Sequence, residues 1–465
     1  MPEKYHIDIR EAEPRFTPVG KYSIIDMYEQ CARGCRNCVK RKCVYDIHKH
    51  HESFIRDMKG PVTFLNECMN CLSCVQDCTR GALTRVVNPE FRWLGSGTWS
   101  PDQIINIWKQ ASTGKIPVSG AGYGGPFSGK GFDSMWTDMS EIVRPTRDGI
   151  HGREYISTSV DVGAKLPNLM FDPSGGLMVD PPPMIELPVP FVIQQPEFGD
   201  VSIKTLTAMA IAARRLNTLL VISTEYIRDE LLDYADVIAP RIKGVDIDSC
   251  SEFIKKARMV EVANVEDVSI LIEKVKAINE NVVVSIRHKL NLDSEDHIVE
   301  MVLKGAEVIH LIADLNGEII DGGHIKDSFR RIHTRLVDEN LRDRTTLMAS
   351  GGIAMAEHMA KIIICGADVV SLGMPFMVGM ECRMCMNCEN GMECPVDMAN
   401  IPAEYGATRI TNLAAAWRNQ LLEVLGAMGI REVRRLRGEF GRAMFMEDLE
   451  RETFGRLFGG KEVAR

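Results

Sequence analysis

From residue 189 onward, short apolar runs alternate with stretches whose apolar residues recur every three or four positions. The runs are Val189–Gln194, Leu219–Ser223, Val237–Arg241, Met259–Val262, Val282–Arg287, Val308–Ala313, Leu347–Ser350 and Val369–Leu372. Such runs fit strands covered on both faces. Between most of them lie amphipathic stretches: Ile203–Leu216, Val265–Asn279, Ile298–Gly305, Ile325–Asn340 and Ala354–Cys365. A shorter helix, Asp248–Lys256, is expected between strands three and four. Eight buried strands alternating with helices predict parallel pairing and a closed (β/α)8 barrel of the TIM type, an α/β fold. Past it, residues 399–465 read as helices over Leu413–Leu425 and Val433–Phe445. The second would carry Arg431, Arg434, Arg435, Arg437 and Arg442 as a basic stripe, either a solvated face or a surface for an acidic partner or flavin phosphate.

Upstream the texture differs. Residues 1–24 form an irregular lead-in, and residues 25–90 are dense in cysteine. Residues 91–185 are rich in glycine and proline. A flexible linker is one reading of that stretch. Trp93, Trp108, Phe127, Phe132, Met135 and Trp136 favour an irregular segment packed on the barrel, because aromatics need partners. The run GAGYGG at Gly120–Gly125 is not followed by a helix start, so it does not read as a dinucleotide fingerprint. The barrel with its following loop spans residues 186–398.

Composition narrows the class. Hydrophobic residues make up 45% and charged residues 26% of 465 positions, an ordinary globular mixture. The net charge of -9 argues against a nucleic-acid partner held through phosphates. No apolar run approaches the roughly 20 residues of a membrane span, and the opening MPEKYHIDIREAEP lacks an apolar signal core. A cytoplasmic location is expected, where thiols stay reduced.

The cysteines carry the chemistry. Twelve of the 14 fall in three groups: Cys31, Cys35, Cys38, Cys43; Cys68, Cys71, Cys74, Cys78; and Cys382, Cys385, Cys388, Cys394. The middle group, C-x2-C-x2-C-x3-C, is the ligand run of bacterial ferredoxins. Zinc is the alternative, but structural zinc sites favour CxxC pairs separated by longer loops. Two 4Fe–4S clusters are therefore expected in an N-terminal ferredoxin-like α+β module. Because the fourth cysteine of each run ligates the other cluster in two-cluster ferredoxins, Cys31, Cys35 and Cys38 pair with Cys78, and Cys68, Cys71 and Cys74 with Cys43. The third group implies a third cluster, and an anaerobic setting suits all three.

Barrel enzymes place chemistry at the C-terminal ends of the strands, with phosphate in the loops after strands seven and eight. Those loops read Ser350-Gly351-Gly352 and Leu372-Gly373-Met374, where glycine lets backbone N–H groups approach an anion. They point to FMN; tight turns without a ligand are the alternative. Gln194 and Ser223, ending strands one and two, join the expected cofactor-binding set. Arg287 ends strand five, where a cation could stabilise reduced flavin or form a rim salt bridge. Glu225, after strand two, could orient a substrate amino or imino group, or cap the next helix. His288, His310 and His324 fall in no ligand spacing and read as structural.

Several segments carry a family resemblance. They are PFVI at Pro190–Ile193, LRDRTTLMASGG at Leu341–Gly352, GADVVSLG at Gly366–Gly373, and Cys382, Cys388 and Cys394-Pro395-Val396. From Pro190 to Cys394 the chain resembles the FMN-binding synthase domain of glutamate synthase. FDSMWTDMSEIVRPTRDGIHGREYISTSVDVG at 132–163 resembles the segment before that barrel. The ferredoxin module makes the whole most similar to the compact archaeal-type form. The resemblance implies FMN, a 3Fe–4S cluster on three cysteines, and reductive amination of a 2-oxo acid to an amino acid, with Arg287 and Glu225 as pocket residues.

The chain departs from the pattern in three places. Cys385 is an added thiol, which favours 4Fe–4S over 3Fe–4S. Ala239–Gly244 is short where the family has a long glycine-rich loop after strand three. Ala313–Glu318 replaces the glycine-rich loop after strand six. Those loops surround the 2-oxoglutarate pocket in the family, so the alternative is an electron-transfer subunit of a larger redox complex with another substrate or none. No glutaminase domain or second nucleotide domain is legible. A glutaminase, ferredoxin or flavoprotein partner is thus expected, with the chain an oligomer or complex subunit.

Overall fold

The computed structural model describes residues 5–16, 19–26, 62–63, 71–79, 81, 83–116, 129–137, 155–166, 170–199, 201–243, 247–263, 265 and 267–458. The eight apolar runs are the eight strands of a closed parallel barrel: Phe191–Gln194, Leu220–Ser223, Ile238–Lys243, Met259–Ala263, Val283–Lys289, Val308–Ile312, Thr346–Ser350 and Val369–Leu372. Strand eight returns to strand one, with Val370 opposite Phe191. Strands one, six, seven and eight are buried at every position. This two-sided burial explains why their sequences run apolar without alternation.

Helices Ile203–Arg215, Val268–Ile278, Ser294–Leu303, Ile325–Asp338 and Ala356–Ile364 connect the strands. The expected short helix appears as a 3-10 turn, Asp248–Cys250, continuing into Ser251–Lys256. Strands two and three are joined without an α-helix, through a 3-10 turn at Asp229–Tyr234.

A second helical layer covers one side. Helix Ala403–Ala427 packs against Ile203–Arg215 and Pro101–Thr113. The latter begins with a capping box, Ser100 and Gln103 each bonding the other's backbone N–H. Trp417 is buried at this seam and donates to Gln110 Oε1 at 3.0 Å. The lead-in is tied here too, because Asn412 both accepts from Arg10 N and donates to Arg10 O. In the connecting segment Phe132 and Met135 are buried, as is Trp99, whereas Trp93 is 78% and Trp136 44% exposed. Strands Tyr22–Asp26, Val62–Thr63 and Leu83–Val87 form a small antiparallel sheet beside the turn of helix at Ser73–Gln76. Cys31, Cys35, Cys38, Cys43 and Cys68 lie outside the described residues, as do the cross-ligation pattern and Gly120–Gly125.

The expected helix Val433–Phe445 is not formed. Two 3-10 turns, Val433–Leu436 and Phe440–Arg442, lead into a strand, Ala443–Phe445, paired with Met135–Thr137. Gly438 breaks the helical pattern: its φ is +73°, and a Cβ there would lie 2.4 Å from the His333 ring. The arginines consequently form no stripe. Arg434 pairs with Asp161, Arg437 with Asp368 and Asp343, and Arg442 donates to Met428 O.

The Arg437 contact belongs to a buried ion cluster at the N-terminal end of the barrel. Asp368 accepts from Arg342 and Arg437, each at 2.7 Å, and from Leu347 N at 2.8 Å. Arg342 also donates to Thr345 O, Gly366 O and His333 Nδ1. The segment Leu341–Arg344 thus knots the starts of strands seven and eight to the C-terminal tail. The two guanidinium groups and the Leu347 N–H outweigh burial and hold the Asp368 carboxyl at about 2, down from 3.8. A carboxylate depressed by folding adds stability that is present above its unfolded value and lost as pH falls through its folded value. Urea midpoints read by far-UV circular dichroism should therefore fall between pH 4 and pH 2. Asp368→Asn should cost about 3–5 kcal/mol at neutral pH by leaving two buried cations underpaired, and should flatten that acid limb.

Candidate functional site

Loops from the C-terminal ends of strands one, six, seven and eight enclose a narrow cleft of about 60 Å³, open to solvent on one side. Gln194, Pro196, Glu197 and Phe198 line it from strand one, and Ala313, Asp314 and Leu315 from strand six. Ser350–Ile353 line it from strand seven, and Ser371–Pro375 from strand eight. Trp99, from the connecting segment, forms the last wall and donates Nε1–H to Leu315 O at 3.1 Å.

The two glycine turns earn their composition differently. Gly351 has φ +108°, and a Cβ there would meet Ala313 O at 2.7 Å; Gly352 has φ +66°, and its Cβ would meet Gly317 Cα at 2.6 Å. Loop packing alone demands both. Gly373 has an ordinary φ, and a Cβ would sit 3.1 Å from Gln194 O. Gln194 is fixed in turn, accepting from Ser371 Oγ at 2.7 Å.

A row of ionisable side chains crosses the barrel interior beneath the cleft. Arg241 Nε donates to Glu261 Oε1 at 2.5 Å, and Glu261 Oε2 meets His310 Nδ1. His310 Nε2 lies 2.9 Å from Ser350 Oγ. Glu261 and His310 are fully buried. Arg241 and His310 hold Glu261 ionised, well below the usual carboxylate range, against the cost of burial. Arg287 donates to Glu197 at 2.6 Å, and its pKa is lowered by burial and by Arg241 nearby. Arg287 Nε, Arg241 Nη2 and Ser285 Oγ are buried with no partner among the described residues. Unpartnered guanidinium N–H groups beside a cleft call for an acceptor, best an anionic one.

The third cysteine group leaves from the same strand end. Strand eight turns at Gly373 into a short helix, Met374–Gly379, and the loop with Cys382, Cys385, Cys388 and Cys394 follows. Its two ends are clamped by Arg15, whose Nε and backbone N donate to Glu381 at 2.8 Å and whose Nη2 donates to Val396 O at 2.9 Å. Tyr405 also donates to Glu381. The buried Arg409 bonds Gly379 O, Ser112 Oγ and Trp108 O, fixing the loop's root. Burial, with a smaller push from the other three cysteines of the loop, raises the Cys382 thiol to about 12. Among the described residues no three of these side chains converge closely enough to hold a metal ion as they stand, so a cluster would have to draw the loop's thiols together.

The backbone carries its own signal. Among the described residues, the non-glycine residues with positive φ are Leu72, Asn217, Asn340, Glu381, Met384, Met386 and Asp397. Apart from the two asparagines, every one lies inside or beside a cysteine run. Each such residue costs on the order of 1–3 kcal/mol, and strain of this kind persists where surrounding structure and function demand it. At Met384 the turn brings its N–H to Cys382 Sγ, 3.5 Å away.

Of the residues expected from sequence, Gln194, Ser350, Gly351, Gly352, Gly373 and Met374 converge on the cleft. Arg287 joins it through Glu197. Glu225 is exposed in a 3-10 turn, bonded to Ser223 Oγ at 3.1 Å, and does not line the cleft. His288 bonds Ser294, and His324 caps helix Ile325–Asp338. His310 reaches a cleft residue, Ser350. Glu261 and Trp99 drew no attention in sequence, although a carboxylate inside the run Met-Val-Glu-Val and an imidazole inside Val-Ile-His-Leu-Ile are the visible anomalies.

Comparison with known proteins agrees with this layout. Residues 241–431 match the conserved region in glutamate synthase. An archaeal-type glutamate synthase (NADPH) of Dehalococcoides mccartyi is 24% identical over 478 residues, covering 89% of this chain and 93% of that one. The archaeal glutamate synthase (NADPH) of Archaeoglobus fulgidus is 24% identical over 494 residues, covering 92% and 95%. Among solved structures, a flavocytochrome b2 with sulfite bound is similar with a TM-score of 0.45 and 12% identity, covering 72% of this chain and 83% of that one. The matched region thus runs from barrel strand three through the cysteine loop and past the long C-terminal helix, and over most of its length the chain is similar to archaeal-type glutamate synthases.

Proposed function

We propose that the chain is an FMN- and iron–sulfur-dependent oxidoreductase of the glutamate synthase type, acting in the reductive amination of a 2-oxo acid. The observation that carries this reading is the shared root of two sites. One turn at Gly373 both lines the cleft and begins the helix that ends in the four-cysteine loop. A cofactor in the cleft and a cluster on the loop would therefore be neighbours.

The residues present fit FMN. Backbone N–H groups of the turns at Gly352 and Gly373 would hold its phosphate. Gln194 and Ser223 stand at the ends of strands one and two, and Arg287 with Arg241 offers the unpartnered N–H groups described above. When bound, FMN supplies the conversion between single-electron traffic and two-electron hydride chemistry. The protein's part is electrostatic and steric. Arg241 and Arg287 provide positive charge for an anionic group, and Glu197 tethers Arg287. Trp99, Phe198, Leu315 and Pro375 wall the cleft from water. Cys382, Cys385, Cys388 and Cys394 would hold a 4Fe–4S cluster, and Cys71, Cys74 and Cys78 with the remaining N-terminal cysteines two more.

A second reading is favoured by one observation. The loop after strand six is fastened to the connecting segment: Trp99 bonds Leu315 O, and Thr98 bonds Asn316 Oδ1 through both N and Oγ1. This leaves little room on the side where a 2-oxo acid would enter, and it suits an electron-transfer subunit of a larger complex.

Anaerobically purified protein should contain about one FMN and twelve irons per chain; fewer than about ten irons rules out three cubanes on four thiolates each. Dithionite-reduced protein should be reoxidised by 2-oxoglutarate with ammonia or glutamine, monitored at the flavin band. Absence of reoxidation transfers the case to the electron-transfer reading. Arg287→Met should keep its iron and lose activity at least about tenfold, the equivalent of about 1.4 kcal/mol at the transition state.

A further inference from the structure

His310 sits in the middle of strand six, fully buried and bonded at both ring nitrogens. Its Nδ1 faces Glu261, whose other oxygen is held by Arg241. An ionised carboxylate only accepts, so His310 Nδ1 carries a hydrogen and donates. Its Nε2 faces the hydroxyl of Ser350, the last residue of strand seven and part of the cleft lining. A hydroxyl can donate or accept, so the direction of this bond decides what Ser350 shows the cleft.

Charge balance selects the direction. The ionisable groups around the ring are Arg241, Glu261 and Arg287, with Glu197 paired to Arg287. Two guanidinium groups and two carboxylates balance when the imidazole is neutral. A second ring proton would put an uncompensated charge in a water-free interior.

We propose that His310 is a positioning residue for the cleft: its bare Nε2 takes the Ser350 hydroxyl hydrogen and turns the Ser350 oxygen's lone pairs toward an N–H or O–H group of the bound cofactor. Strand seven thereby ends in a fixed acceptor, and the Arg241–Glu261 pair keeps the imidazole in the tautomer that makes it one. The inference rests on the cofactor reading of the cleft for what Ser350 receives, but not for the tautomer.

Two measurements test it. In the cofactor-free chain labelled with 15N-histidine, comparison with His310→Gln assigns the His310 nitrogens. One protonated Nδ1 and one bare Nε2 are expected; the opposite tautomer or a doubly protonated ring overturns the proposal. Ser350→Ala should move the Nε2 resonance by removing its donor, and an unmoved resonance counts against it even if His310→Gln fails to fold. Titrating the apoprotein with FMN should then show about tenfold weaker binding for His310→Gln and for Ser350→Ala, with no further loss in the double variant. Independent losses that multiply to about a hundredfold, or unchanged affinities, overturn the positioning role. If the parent protein does not bind FMN, the cofactor reading falls, while the nitrogen spectrum still decides the tautomer.

Discussion

A closed parallel barrel admits no water between its strands, so any charge placed there must be answered by another side chain. Much of this molecule follows from that constraint. Glu261 stands on strand four, fully buried, and is answered by Arg241 from strand three and His310 from strand six. Arg287 on strand five is answered by Glu197 from the loop after strand one. At the opposite end Asp368 is answered twice, by Arg342 and Arg437. None of these groups is spare. Their pairings tie strands distant in sequence and fix the heights at which polar atoms reach the cleft.

The cysteine loop meets the same rule differently. It lies outside the barrel and has little regular structure of its own, so neighbouring segments must hold it. Arg15 clamps both ends of the loop, and Arg409 holds the helix that enters it. The lead-in that supplies Arg15 continues into the strand Tyr22–Asp26 of the small N-terminal sheet. The Gly95 N–H reaches Arg383 O between Cys382 and Cys385. The N-terminal segment therefore grips the cysteine loop from both sides of its own cysteine-rich stretch. Left-handed residues along the loop show that its path is imposed rather than relaxed into.

The barrel was legible because two-sided burial leaves unbroken apolar runs, and the helices between them keep a three-to-four-residue period. Six of the cleft residues were legible because the fold assigns strand ends their role before any side chain is considered. The tail was not. Val433–Phe445 has helical spacing, but Gly438 must pass the His333 ring at a left-handed φ, and no local pattern reveals a ring supplied by residue 333. The contacts of His310 were hidden for a related reason. Its partners, Glu261 and Ser350, are 49 and 40 positions away, so its function is a property of closure rather than of spacing. Glu225 shows the converse, a residue well placed by strand order whose turn carries it to solvent.

The cleft's outer wall bears most directly on what the barrel does. In the sequence the loop after strand six looks like a loss, since Ala313–Glu318 lacks the glycine-rich stretch of the resembling family. In the structure it is a replacement. Asp314 turns the loop by accepting from Asn316 N and Glu318 N. The loop then receives Trp99 and Thr98 from the connecting segment, two residues held in turn by the start of helix Pro101–Thr113. The Trp99 indole forms that side of the cleft. A substrate must then be small enough to pass beside Trp99 or must move it, and moving it would disturb the strap that touches the cysteine loop at Arg383. Access to the cleft and the position of the cysteine loop are thus joined through one short segment.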